Sequence, residues 1–245
     1  MSEAPRSPVA LVTGGAVRVG RALSLGLADE GWDVAVGYHT SEAPARELAQ
    51  RVEAAGRRAL LCPGDVSDPG DVRAIADRIR GELGRLDLLV NNASTFHRGR
   101  LAEISGEEWD RTMGVNVKGP FLLVRAVADL LSADRGSVVN VLDLSAFRPW
   151  VEYPHHSVSK AALLQLTKVM ARSLAPEIRV NAVAPGTVLP PEDYTEEQIE
   201  ASRQKTLLET LGTPEDVVGA VLFLARSPFV TGEVIVVDGG RRLAG

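Results

Sequence analysis

The sequence predicts an α/β domain built on a doubly wound, mainly parallel sheet of seven strands. Short apolar runs rich in Val, Leu and Ala alternate with helix-period stretches almost without exception, as strand–crossover–strand units do. Polar and glycine punctuation collects where the strands stop: Thr13-Gly14, His39-Thr40-Ser41, Asp65-Val66, Asn91-Asn92-Ala93-Ser94, Asp143 and Pro185-Gly186. Singly each of these is ordinary turn chemistry. Together they fall on one edge of one sheet, where such folds bind ligands. Composition agrees, with 45% hydrophobic but only 4% aromatic residues, which suits strands covered on both faces.

In order along the chain, residues 9–12 form a β-branched strand that stops at Thr13-Gly14-Gly15. A helix pattern follows through Ala22, Leu23, Leu25, Leu27 and Ala28. A strand, a glycine turn and a helix start aim free backbone N–H groups at a phosphate. Residues 33–38 form a second strand after the helix stop Glu30-Gly31-Trp32. Ser41 caps a helix that reaches residue 55 and ends at Gly56. A third strand covers 58–62, and a polar turn at 65–71 leads into a helix to residue 83. The fourth strand, 86–90, ends in Asn91-Asn92-Ala93-Ser94, and a long helical region over 107–131 is interrupted at Gly119-Pro120. Then come a strand at 137–141, a helix at 156–174, and a strand at 178–183 that stops at Ala184-Pro185-Gly186. After a polar stretch to residue 211, a helix at 214–225 leads to the last strand, 233–237. No repeats or low-complexity tracts interrupt this order. The 245 residues read as one Rossmann-type domain with no linker.

Composition narrows the function classes. The net charge of −5, with both signs interspersed, gives no reason to expect nucleic acid or an anionic membrane surface. No apolar run approaches a membrane span. Residues 1–7 lack a signal-peptide core and read as a short mobile leader, so a cytoplasmic location is expected. The single cysteine, Cys62, can form neither an internal disulfide nor a metal motif, and reads as a small buried residue. No metal is expected.

From Val9 to Gly240 the chain resembles the short-chain dehydrogenase/reductase family. Within it the turn Thr-Gly-Gly-Ala-Val-Arg-Val-Gly, Asn-Asn-Ala-Ser-Thr-Phe at 91–96, Gly-Tyr-His-Thr-Ser at 37–41, and Asp143 in place of a serine are most similar to the pteridine reductases. The resemblance implies that Gly14, Arg18, Val19 and Gly20 hold a pyrophosphate. It also places His39, Thr40 and Ser41 at the adenosine ribose, where no carboxylate opposes a 2′-phosphate, so NADPH (NADP+) is the expected cofactor. Relatives often carry arginine at the position of Thr40. Asp65 and Val66 would flank the adenine, Asp65 being equally readable as a helix N-terminal turn residue. Asn91, Ala93, Lys160, Pro185 and Gly186 would follow the rest of the dinucleotide.

Chemistry is implied at Asp143, Asn116, Lys160 and His156. The family uses Tyr-x-x-x-Lys, one helical turn apart, to deliver a proton to the atom that gains charge. Here the stretch reads His156-Ser157-Val158-Ser159-Lys160, and the family spacing of thirteen from Asp143 lands on His156 without a gap. Tyr153 is therefore a loop residue rather than a displaced copy. His156, with an ordinary pKa of about 6.5, reads either as a proton donor or as a structural or substrate-contacting residue. Asn116 matches the family asparagine that ties a water chain to the lysine, and also reads as a polar residue buried beside a helix kink. Arg18, Ser94, Phe96, Asp143 and His156 are the expected substrate contacts; Phe96 would stack a pterin or pack on the core. The stretch 187–211 would form a substrate lid. The resemblance implies a homotetramer, which Ala161, Ala162, Leu166 and Val169 suit as well as they suit a core. The expected activity is hydride transfer from NADPH to a pterin C=N or a small carbonyl. The alternatives are a 3-oxoacyl or carbonyl reductase of the same family, or a cofactor-binding member without catalysis.

Overall fold

β1 (Val9–Val12) is buried along its whole length, and its side chains part to two faces. Val9 and Leu11 join one core, Ala10 and Val12 the other. That alternation repeats across a seven-stranded sheet of order β3-β2-β1-β4-β5-β6-β7 in the computed structural model, which describes residues 7–191 and 194–244. The strands are β2 (Asp33–Tyr38), β3 (Ala59–Pro63), β4 (Leu88–Asn91), β5 (Ser137–Val141), β6 (Arg179–Pro185) and β7 (Val234–Val237). Every pairing is parallel, so the expected mainly parallel sheet is parallel throughout.

Buried residues of α1 (Arg18–Asp29), α2 (Glu42–Ala54) and α8 (Pro214–Arg226) pack on the Ala10/Val12 face. Those of α3 (Pro69–Glu82), α5 (Gly119–Ser132) and α6 (Pro154–Leu174) pack on the other. Strand order reverses between β1 and β4, which opens a crevice beyond their carboxyl ends.

Three departures from the sequence expectations have physical reasons. The long helical region breaks at a π-helical turn, Gly114–Lys118, that joins α4 (Gly106–Met113) to α5. The expected break at Gly119-Pro120 is instead the start of α5, where a proline costs no hydrogen bond. Helix α6 begins at Pro154, two residues before expected, for the same reason. The polar stretch to residue 211 contains α7 (Glu196–Arg203), closed by a capping box between Thr195 and Gln198. Its single buried residue, Ser202, leaves no apolar periodicity to read. Residues 1–6 of the expected leader lie outside the described residues; Ser7 accepts a hydrogen bond from Arg57 Nη1 at 3.2 Å and is not loose.

Candidate active site

The loops after β1 and β4 are pinned to each other. Thr13 Oγ1 accepts from the N–H groups of Asn92 and Ala93, each at 3.0 Å, and Asn92 Nδ2 donates to the Thr13 and Gly14 carbonyls at 2.9 and 3.2 Å. The contact leaves no room for side chains. A Cβ on Gly20 would lie 2.0 Å from the Gly14 carbonyl oxygen, and Gly14 itself sits at φ +58°. α1 then starts after Val17 with no side chain capping its first turn, which leaves that N–H set for an anion. Val19 packs against the core. Arg18, at φ +51°, donates through Nη2 to the carbonyls of Leu189 and Pro190 at 2.9 and 3.5 Å. It thus ties the elbow to the segment after β6.

Beyond the elbow lies a cavity of about 210 Å³. Gly14, His39, Thr40, Ser41, Asp65, Val66, Ala93 and Ser94 all line it, as expected of an adenosine site. Asp68, not Asp65, caps α3. Asp65 accepts from Ser67 N and Oγ at 2.8 and 2.7 Å. Burial pushes Asp65 up, but the Ser67 bonds and the nearby charges of His39 and Arg111 bring it below the usual carboxylate range. Asn91 does not line the cavity. It is buried in β4 and donates to Asn140 Oδ1 at 2.8 Å, and Asn140 passes the chain to Thr167. Pro185 ends β6, and Gly186 follows with its N–H on Val237 O at 2.8 Å; a Cβ on Gly186 would come within 2.9 Å of Asp238 Cα.

Asp143, just past β5, sits with His156 and Lys160 of α6. Its Oδ1 accepts from Ser145 N at 2.8 Å and Ser145 Oγ at 2.5 Å, and its Oδ2 lies 2.6 Å from His156 Nε2. His156 Nδ1 lies 3.0 Å from the Thr95 carbonyl oxygen. A carbonyl only accepts, so Nδ1 carries a hydrogen. Two lone pairs cannot face each other at 2.6 Å, so a proton also lies between Nε2 and Asp143. As placed, both imidazole nitrogens are engaged, Nδ1 by the Thr95 carbonyl and Nε2 by Asp143.

Lys160 is buried and donates through Nζ to the Val141 carbonyl at 2.8 Å. Burial lowers its pKa, and Asp143 offsets part of that. Burial alone would raise Asp143; the His156 hydrogen bond and the Lys160 charge bring it below the usual carboxylate range. Asn116 occupies the π turn. Its Oδ1 accepts from Thr95 N at 2.9 Å, and its Nδ2 donates to Ser159 Oγ at 2.9 Å. Thr95 therefore links Asn116 to His156.

Phe96 is not core: it is 49% exposed and stacks on Tyr153 with centroids 4.3 Å apart. Its ring meets His156 edge-on at 4.8 Å, and Trp150 lies nearly parallel to the imidazole at 6.3 Å. Flat aromatic surface therefore borders the Asp143–His156 pair. Ser94 turns its hydroxyl to the Thr95 carbonyl at 3.3 Å.

A family model described as enoyl-(acyl carrier protein) reductase matches residues 15–242. Short-chain dehydrogenase/reductase eriH of Hericium erinaceus is 36% identical over 95% of this chain and 97% of its own. The chain belongs to the short-chain dehydrogenase/reductase family. Among solved structures, a blue fluorescent protein from a metagenomic library in complex with NADPH matches with a TM-score of 0.88 and 36% identity, over 96% of this chain and 97% of that one. FolM alternative dihydrofolate reductase 1 from Brucella suis in complex with NADP matches with a TM-score of 0.91 and 34% identity, over 98% and 96%. The chain is an NAD(P)-dependent oxidoreductase of this family.

In this short-chain dehydrogenase/reductase, sequence reasoning missed Thr95 and Arg111. Thr95 acts through its backbone, which no side-chain motif marks, although it stands inside Asn-Asn-Ala-Ser-Thr-Phe. Arg111 lines the cavity beyond the elbow from the last turn of α4, where no motif marks it. Among the described residues no group of three or more His, Cys, Asp or Glu could hold a metal ion, and no helix is long and apolar enough to cross a membrane. Cys62 is fully buried, and burial pushes its thiol up to about 12.

Proposed function

We propose that the protein is an NADPH-dependent reductase that delivers hydride to a conjugated C=N of a pterin. The observation that carries the reading is the 2.6 Å contact between His156 Nε2 and Asp143 Oδ2, next to buried Lys160 and bordered by flat aromatic rings. The uncapped start of α1 and the glycine elbow suit a pyrophosphate, and the cavity edge His39-Thr40-Ser41 bears no carboxylate to repel a 2′-phosphate. A nicotinamide cofactor, when bound, would supply the hydride. The chain's own residues supply the proton. Asp143, 19% exposed in its side chain, passes the proton it shares with His156 to the substrate, and His156, 3% exposed, holds the carboxylate while solvent at that exposed edge returns a proton to the pair. Lys160 keeps positive charge behind the carboxylate, and Asn116 fixes Thr95 and so the imidazole.

Phe96 and Tyr153 offer a stacking surface for a fused heteroaromatic ring. The dihydrofolate reductase named among the solved relatives reduces a substrate of that type. In segment 187–211, of which 192 and 193 lie outside the described residues, Leu189 is tied to Arg18, which suits a lid over the substrate. A homotetramer would cover the half-exposed Val158 and Val169 of α6 and Phe121 of α5; Leu166 already belongs largely to the core. A second reading, reduction of an enoyl or oxoacyl thioester or a small carbonyl, draws on the acyl substrate named in the description of the matching family model.

The test is NADPH oxidation with dihydrobiopterin, dihydrofolate and a panel of carbonyl and enoyl thioester substrates, with NADH as control. Turnover of the dihydropterins with NADPH is expected. Turnover of the carbonyl panel alone would leave the second reading standing, and NADPH binding without any turnover would make the protein a non-catalytic member.

A further inference from the structure

The adenosine cavity contains one cation that the proposed function does not use. Arg111, in the last turn of α4, lines the same cavity as His39, Thr40 and Ser41 of the β2 edge, and is the sole Lys or Arg among its lining residues. Three arginines of α1 and α2 are engaged elsewhere. Arg21 pairs with Glu47 at 2.7 Å, Arg46 pairs with Glu42 at 2.6 Å, and Arg18 is held by the Leu189 carbonyl. The Arg111 guanidinium has no hydrogen-bond or ion-pair partner among the described residues. It lies close enough to Asp65 for its charge to act on that carboxyl, without pairing with it.

The charge balance of the cavity gives this arginine a task. Without Arg111, the fixed charge lining the cavity is that of Asp65, which opposes any phosphate. A 2′-phosphate brings a charge of about −1.5 to −2 at neutral pH, and a 2′-hydroxyl brings none. The edge after β2 contributes hydroxyls and an imidazole, which are hydrogen-bonding groups rather than a permanent cation. The guanidinium is permanently charged and geometrically matched to phosphate oxygens.

We infer that Arg111 is a cofactor-specificity residue, its guanidinium neutralising the 2′-phosphate of a dinucleotide seated between α4 and the His39-Thr40-Ser41 edge. This rests on the reading of the protein as NADPH-dependent. It assigns the cation missing from the β2 edge, where Thr40 stands, to a different element of the fold. Arg111 is exposed and packs no core, so its substitution leaves the fold intact.

Calorimetric titration of the parent, Arg111→Gln and Arg111→Lys with NADPH and with NADH tests it. Circular dichroism confirms that each variant is folded. In Arg111→Gln, NADPH affinity should fall roughly 10- to 30-fold while NADH affinity changes less than about threefold, as for loss of one charge-assisted contact. Arg111→Lys should recover part of the NADPH affinity. An unchanged NADPH-to-NADH ratio in Arg111→Gln, or equal loss of both, overturns the assignment, the latter because it marks a contact to the shared adenine. A parent without preference for NADPH overturns the cofactor reading and this inference together. A parent that prefers NADPH, with a ratio untouched in Arg111→Gln, overturns this inference alone.

Discussion

Replacing Asp143 with Asn separates the proton from the hydrogen bond. In the parent, Oδ1 accepts from Ser145 N and Oγ, and Oδ2 shares a proton with His156 Nε2 at 2.6 Å. Asparagine can repeat this pattern. Its carbonyl oxygen takes the Ser145 bonds, and its amide N–H donates to Nε2, while Nδ1–H stays on the Thr95 carbonyl. The contacts survive but lose their charge assistance, which for two or three bonds amounts to about 1–3 kcal/mol of stability. The fold and NADPH affinity should therefore persist. No transferable proton is left at position 143, so turnover should drop by about 10²–10⁴-fold, the range for a positioned general acid. Asp143→Ala is the contrasting case. It strands Nε2 and the Ser145 N–H in a buried setting, with a stability loss of about 3–5 kcal/mol. The assay is steady-state NADPH oxidation with dihydropterin at saturating cofactor, beside a thermal melt of each variant. If Asp143→Asn is folded, binds NADPH and turns over within about threefold of the parent, the proton does not travel through Asp143.

Gly20→Ala places a methyl 2.0 Å from the Gly14 carbonyl oxygen, so the elbow must open; NADPH affinity measured by fluorescence titration should fall at least tenfold. Phe96→Ala removes the ring stacked on Tyr153 and should raise the KM for a dihydropterin about five- to tenfold, with NADPH affinity unchanged, as expected for a lost aromatic contact of about 1 kcal/mol. Acid should weaken the fold through His155, a buried imidazole whose Nδ1 has no partner. Burial holds its pKa below the ordinary 6.5, assisted by His156 and His97 and opposed by Glu108. The unfolded chain therefore binds the proton first as pH falls below about 6.5, and stability declines from there until pH passes the folded value. Thermal melts at pH 7 and 5 should show this drop in the parent and a smaller one in His155→Phe; equal drops would exclude His155 as the cause.

The layered fold was legible because buried parallel strands and two-faced helices leave strong marks. The Val9–Val12 run, the glycines after it and the Ala/Leu periodicity of α1 specify where the chain turns and which side it packs. The misread elements are those whose structure depends on something other than apolar period. α7 buries a single serine, and its start is written only in the Thr195–Gln198 capping box. The π turn at Gly114–Lys118 holds Asn116, whose amide bonds to Thr95 and Ser159 substitute for regular helix geometry in positioning that segment. Neither partner is near it in sequence. In the same way, Asp143, His156 and Lys160 could be aligned by spacing, but spacing carries no information about which atoms of the three meet.

That last gap decides how position 156 is understood. Read along the chain, an imidazole one helical turn before a lysine reads as a proton donor facing the substrate, or as a structural residue. In the folded protein the ring is turned between two acceptors, the Thr95 carbonyl at 3.0 Å and the Asp143 carboxylate at 2.6 Å. Its reach toward the substrate then stops mattering, because the exposed edge of the pair belongs to Asp143. Against burial, the His156 hydrogen bond and the Lys160 charge hold the carboxylate below its ordinary pKa, so Asp143 draws its proton from its partner. The carboxylate faces His156 Nε2 at 2.6 Å, and a proton shared across that contact is what the pair can pass on through Asp143. On this argument histidine and aspartate are required together. His156→Ala and Asp143→Asn should each abolish most turnover, and the double variant should be little worse than either alone, the non-additivity of residues acting as a unit. Additive losses would mean two separate roles.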